Sequence, residues 1–230
     1  MRDFLEENLE EKIQQSLKLG VDPKELLGNR FLAREIVARN FSLFLRHGWQ
    51  IDEAVKYLDS KTVAKNLSKL MDAGLSAEQA VTLMCSKDIA LNVASLRERG
   101  LSDATIVDAL SYDFVYKYFS ALHKRIGIHV DLLLEKLDAK TVSANLKYLL
   151  QNGATMEALS KKLPVDIKTK FHLVLMYSTE PKEVIQEWFD AIEAEDKDEY
   201  AKYIIEEEKY LEFVDSDYYD DDDDDDDNIM

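Results

Sequence analysis

Apolar residues recur along the chain at steps of four and three: Val37, Phe41, Phe44; Val63, Leu67, Leu70; Ile89, Val93, Leu96; Val115, Phe119, Leu122; Val142, Leu146, Leu149. Each triplet is one stripe on a helix. After each comes a glycine: Gly48, Gly74, Gly100, Gly127 and Gly153, at steps of 26, 26, 27 and 26. Gly20 stands 28 residues before Gly48, so of the seven glycines only Gly28 lies outside the pattern. A glycine just past a helix end predicts a left-handed cap.

Segments around these glycines align. Residues 60–76 line up with 86–102 and 139–155, and the units read as 6–31, 34–59, 60–85, 86–111, 112–138, 139–164 and 165–190. Each predicts two helices. Ser76, Ser102, Thr155, and Asp22 before Pro23, can cap the second helix, and Ser76 with Gln79 fits a capping box. That helix ends on an apolar residue, Leu58, Met84, Leu110, Leu137 or Leu163, and Asp59, Ser111 or Asp138 can cap the next long helix. A pair of helices this short cannot bury a face alone, so the pattern predicts an all-α fold, an α-solenoid of about seven ~26-residue helix-turn-helix repeats. Its expected parts are a repeat array over 1–190, an amphipathic helical cap over 191–214 and a disordered tail over 215–230. The periodicity leaves the hand of the superhelix open.

Composition agrees: 7 Gly and 3 Pro in 230 residues are few for an all-β chain. Charge is unevenly placed. Residues 191–230 carry 19 acidic and 3 basic side chains, whereas 1–190 carry 27 and 26. Of the net charge of −17, −16 therefore falls in residues 191–230, within which Asp220, Asp221, Asp222, Asp223, Asp224, Asp225, Asp226 and Asp227 are consecutive. No apolar run reaches the ~18 residues of a membrane span, and the N-terminus lacks a signal-peptide core. The single cysteine, Cys85, excludes an internal disulfide framework and a cysteine-ligated metal site. A cytoplasmic, reducing location without membrane association is expected.

Candidate chemistry is sparse. Asn40, Asn66, Asn92 and Asn145 share the seventh repeat position, occupied by Tyr118 in the fifth unit. They read as a structural ladder whose amides bond loop backbone of a neighbouring repeat; ligand-binding side chains are the alternative. His47, His123, His129 and His172 share no metal-ligand spacing, and no phosphate loop or nucleophile elbow occurs. No cofactor and no enzymatic activity are expected. Lys61, Lys65 and Lys69 lie four apart, with Arg39, Lys87, Lys117 and Lys140 at neighbouring positions of other units. This stripe reads as an ordinary solvated face or as a surface for phosphate or an acidic protein. Glu35, Asp72, Glu98 and Asp113 interrupt it. The acidic tail reads as a solubilising chain or as a polyanion mimic.

The stretch Asn92-Val-Ala-Ser-Leu-Arg-Glu-Arg-Gly-Leu-Ser-Asp-Ala-Thr-Ile-Val-Asp-Ala-Leu110 resembles one repeat of the mitochondrial transcription termination factor family. The likeness recurs loosely over 34–163, with a shorter period and without that family's usual prolines. It implies stacked helical hairpins and, by that family's example, nucleic-acid binding. Armadillo- and HEAT-type scaffolds are a second analogy. The expected function is non-catalytic: an extended surface that binds a protein partner, with nucleic acid as the alternative.

Overall fold

Every regular element among the described residues is a helix or a 3-10 turn, so the chain is all-α. The computed structural model describes residues 11–16, 18–20, 30–164, 167 and 183–184. The helices are α1 Arg30–Arg39, α2 Phe41–Arg46, α3 Ile51–Ala54 running into a 3-10 turn Val55–Tyr57, α4 Ser60–Lys65, α5 Leu67–Asp72, α6 Ala77–Leu83, α7 Ser86–Leu91 and α8 Val93–Glu98. They continue as α9 Asp103–Ala109, α10 Tyr112–Lys124, α11 Val130–Leu134, α12 Ala139–Ala144, α13 Leu146–Gln151 and α14 Met156–Lys162. The first and last repeats fall mostly outside the described residues, as do the cap over 191–214 and the tail.

The chain divides into two compact units, Met1–Ser102 and Asp103–Met230. In the first, α1 packs on α4 and α5, and α4 packs on α6 and α7. In the second, α11 packs against α9, α10 and α14, and α12 against α13 and α14. Every residue of the five apolar triplets is 3 % exposed or less, which makes the predicted stripe the core.

Among the described residues, the long helix of a repeat is not continuous. It bends at the seventh position, where Asn40, Asn66, Asn92 and Asn145 adopt φ −107 to −113° and ψ 11 to 19°. These values lie in the bridge region between helix and strand. Tyr118, at the same position, bends α10 identically with φ −115° and ψ 22°. A described repeat therefore has three helical pieces rather than two. The apolar steps of four and three are those of an unbroken helix, so the pattern does not betray the bend.

The glycine turns form as read. In Gly74 the φ is +116° and its N–H donates to the Met71 carbonyl at 3.0 Å, while Leu75 N–H reaches Leu70 O at 3.0 Å. This is a Schellman motif with an apolar residue folded back on the helix it ends. Gly48, Gly100 and Gly153 repeat it. In the 27-residue repeat the bonds lengthen by one residue: Gly127 N–H reaches His123 O at 3.1 Å and Ile128 N–H reaches Leu122 O at 3.0 Å. The extra residue is taken up in the turn. The predicted caps hold too: Asp59 accepts from Thr62 N–H at 2.8 Å, Asp138 from Thr141 N–H at 2.7 Å and Thr155 from Ala158 N–H at 3.1 Å. Ser76 and Gln79 close the capping box at 3.0 and 3.1 Å.

Candidate binding surface

The first residue of a repeat unit reaches forward to the start of the next unit's first helix, 25 or 26 residues away. The Arg34 guanidinium pairs with Asp59. The Ser60 hydroxyl donates to Asp88 and accepts the Cys85 N–H at 2.6 Å. In the second unit, the Tyr112 phenol donates to Asp138 at 2.9 Å and lies 3.0 Å from the Thr141 hydroxyl. Three unlike residue types make one clasp, so no sequence alignment shows it. Of the receiving residues, Asp88 and Thr141 are buried.

The clasps shift ionisation. Burial pushes the Asp59 carboxyl up, but the Thr62 amide and hydroxyl and the Arg34 guanidinium outweigh it and hold it below the ordinary value. Asp138 is held low against burial by Thr141, the Tyr112 phenol and the Lys140 backbone. Burial, joined by the Asp138 charge, raises the Tyr112 phenol despite its bond to Thr141.

The seventh-position amides turn inward on their own helix. Asn66 Nδ2 donates to Thr62 O at 3.0 Å and Asn92 Nδ2 to Asp88 O at 2.9 Å. Asn40 and Asn145 make the same bond to Ile36 O at 3.0 Å and Thr141 O at 2.7 Å. For Asn66 and Asn92 this replaces the expected bond to a neighbouring repeat's loop: the amide serves the bend itself.

The basic positions face solvent. Arg39, Lys61, Lys65, Lys69, Lys117 and Lys140 are exposed and Lys87 is half-buried. Among the described residues, Lys61, Lys65, Lys69 and Lys87 have neither an ion pair nor a hydrogen-bonded side-chain partner. Lys117 instead lies 5.0 Å over the Tyr118 ring. Three carboxylates of the same unit are engaged elsewhere: Asp59 with Arg34, Asp72 with Arg99 and Asp88 with Ser60. Asp220 to Asp227 lie outside the described residues.

Two features had no sequence signal that periodicity could isolate. Tyr112 and Tyr116, one turn apart, stack with centroids 6.2 Å apart and planes 2° from parallel. In the second unit a cleft of about 600 Å3 opens between α11 and α14. Leu132, Leu134 and Ala158 form its apolar part, and Asp131, Glu135, Glu157, Lys161 and Lys162 its charged part. Lys162 Nζ donates to Glu135 O at 2.6 Å, Lys161 pairs with Glu157 at 2.8 Å, and Asp131 accepts Thr155 N–H at 2.8 Å. The first and last of these bonds join the two walls, and the Lys161–Glu157 pair lies along α14.

Two histidines serve local structure. His129 Nδ1 accepts the Asp131 N–H at 3.3 Å and starts α11, and His123 Nδ1 lies 3.0 Å from Ile128 O in the preceding turn. Among the described residues no group of three or more His, Cys, Asp or Glu could hold a metal ion. No helix among them is long and apolar enough to cross a membrane. No family model matches the chain, and neither a curated protein nor a solved structure matches it.

Proposed function

We propose that the chain is a non-catalytic binding scaffold, an α-solenoid of about seven repeats that presents an extended surface to a protein partner. The cleft between α11 and α14 carries the reading. Its apolar part suits side chains of a polypeptide, and its mixed charge, three carboxylates and two ammonium groups, suits a polypeptide's polar groups better than a phosphate backbone. The glycine turns and forward clasps supply the repetition that a stacked array needs, since each repeat then stabilises its neighbour.

Charge reversal at the cleft rim tests it. Full-length wild type and a Glu135→Lys, Glu157→Lys variant are used to capture partners from host extract, with and without nuclease. Proteins retained by wild type, resistant to nuclease and lost with the variant support the reading. Capture that vanishes with nuclease, and that falls by orders of magnitude between 50 and 200 mM salt, overturns it in favour of nucleic acid. That second reading has its own support in the unpaired row Lys61, Lys65 and Lys69. The resemblance of residues 92–110 to a mitochondrial transcription termination factor repeat points the same way.

A further inference from the structure

In the second unit α11 packs on α9 and on α14, and the same lysine staple joins it to each. Lys136 and Lys162 each lie nine residues past a turn glycine, Gly127 and Gly153. Lys136 Nζ donates to the Asp108 carbonyl at 2.5 Å, and Lys162 Nζ to the Glu135 carbonyl at 2.6 Å. Asp108 and Glu135 each lie eight residues past their own turn glycine, Gly100 and Gly127, so donor and acceptor positions both repeat. The carboxylates do not behave alike. That of Asp108 also takes Lys136, at 3.1 Å. That of Glu135 is exposed and has neither a hydrogen bond nor an ion pair among the described residues. Lys161 lies within range of its charge, but that ammonium is bonded to Glu157 at 2.8 Å.

Glu135 stands between two hollows. One, of about 150 Å3, lies between α9 and α11 and is lined by Ala104 and Val107. The other is the cleft of about 600 Å3 between α11 and α14, lined on its far side by Ala158. Leu132 and Glu135 line both. Leu132 is half-buried, so apolar surface passes over α11 from one hollow to the other, with the unused Glu135 carboxylate beside it. Covering a carboxylate is unfavourable unless a cation replaces its water. An apolar occupant of this surface must therefore bring a cation to Glu135, and a guanidinium or ammonium does so with a charge-assisted hydrogen bond.

We propose that α11 and the two hollows beside it form one groove for a basic-apolar polypeptide segment, which seats an apolar side chain in each hollow and an arginine or lysine between them on Glu135. This rests on the cleft reading above and adds to it the second hollow and the chemistry of the partner.

The test selects binders from a display library of random short peptides on the full-length wild-type chain, then measures them against three full-length variants. Ala158→Gln puts bulk into the α14 hollow, Ala104→Gln into the α9 hollow, and Glu135→Gln removes the charge and keeps the shape. Selected peptides should carry arginine or lysine with apolar residues on both sides, and each variant should weaken them at least tenfold. Replacing that basic residue by glutamine should weaken binding to wild type as much, and should matter little to Glu135→Gln, because the two groups meet. Selected peptides without a basic residue overturn the proposal. Peptides lost with Ala158→Gln but indifferent to Ala104→Gln and Glu135→Gln overturn it and leave the cleft reading standing. Peptides indifferent to Ala158→Gln count against both. A library that yields no binder overturns the proposal, and the capture of partners then decides the cleft reading alone. An oligothymidylate that binds wild type and is lost with Ala158→Gln overturns it in favour of nucleic acid. Circular dichroism of each variant establishes that it is folded.

Discussion

The Tyr112 phenol donates to the Asp138 carboxylate at 2.9 Å, joining the first residue of α10 to the cap of α12. It also lies 3.0 Å from the buried Thr141 hydroxyl. Tyr112→Phe removes this donor and keeps the ring. A net hydrogen bond contributes about 0.5–1.5 kcal/mol, so the urea midpoint should fall by an amount in that range divided by the m-value. An unchanged midpoint would mean that the clasp adds nothing to stability.

The same phenol sets an alkaline limit. Its pKa is raised by burial and by the Asp138 charge, so the folded chain keeps the proton that the unfolded chain releases near pH 10. Stability from this group is complete below pH 10 and is lost as pH rises through the native value. The alkaline fall in melting temperature should be shallower in Tyr112→Phe. A fall of identical slope in both proteins would exclude Tyr112 as its source.

At the acid end the sign reverses. Asp59 and Asp138 are held below the ordinary carboxyl value of 3.8 against the opposing effect of burial. Their contribution is complete above pH 4 and disappears as pH falls through the lower native values. Asparagine preserves the cap acceptor and removes the charge. In Asp59→Asn with Asp138→Asn, melts between pH 2 and 4 should change less steeply than in wild type.

Asn66 and Asn92 make the same bond, yet Asn66 is buried and Asn92 half-exposed. The Thr62 carbonyl also accepts the Asn66 backbone N–H at 3.1 Å, so Asn66→Ala leaves it partnered. We expect a loss of about 1 kcal/mol for Asn66→Ala and a smaller one for Asn92→Ala. Chemical denaturation of the two variants decides it; a larger loss at Asn92 would refute the ranking.

Gly100 has φ +88° and nothing within 4 Å of where a Cβ would stand. Gly100→Ala therefore isolates backbone strain. A left-handed conformation costs an L-residue about 1–2 kcal/mol, partly offset by the stiffer unfolded chain. A net destabilisation of about 1 kcal/mol should appear in denaturant melts, with Gly100→Asn milder because asparagine tolerates this region. An alanine variant as stable as wild type would contradict the observed turn.

Much of the fold was legible because each repeat restates the same local physics. Glycine at a helix end, Ser76 with Gln79 and Asp59 before Thr62 are short-range signals, and all form. The bend was not legible. Asn and Tyr118 both produce it, so no residue type marks it, and the apolar spacing is unchanged across it. The clasps were hidden for a related reason: Arg34, Ser60 and Tyr112 do one job with different groups over a span of 25 or 26 residues. The lysine row was visible in sequence, but only the geometry distinguishes lysines already occupied from those left over.

The turn between His123 and Ile128 holds one residue more than its counterparts and still closes on the same helix. An added residue inside α7 would rotate all that follows by about 100° and carry Val93 and Leu96 off the buried face. In the turn it rotates nothing: the next helix begins afresh from its own cap. The frame of each repeat is thus reset at its glycine, and the chain can change length there without changing phase. Such a molecule can gain or lose loop residues at its turns while the buried face keeps its register.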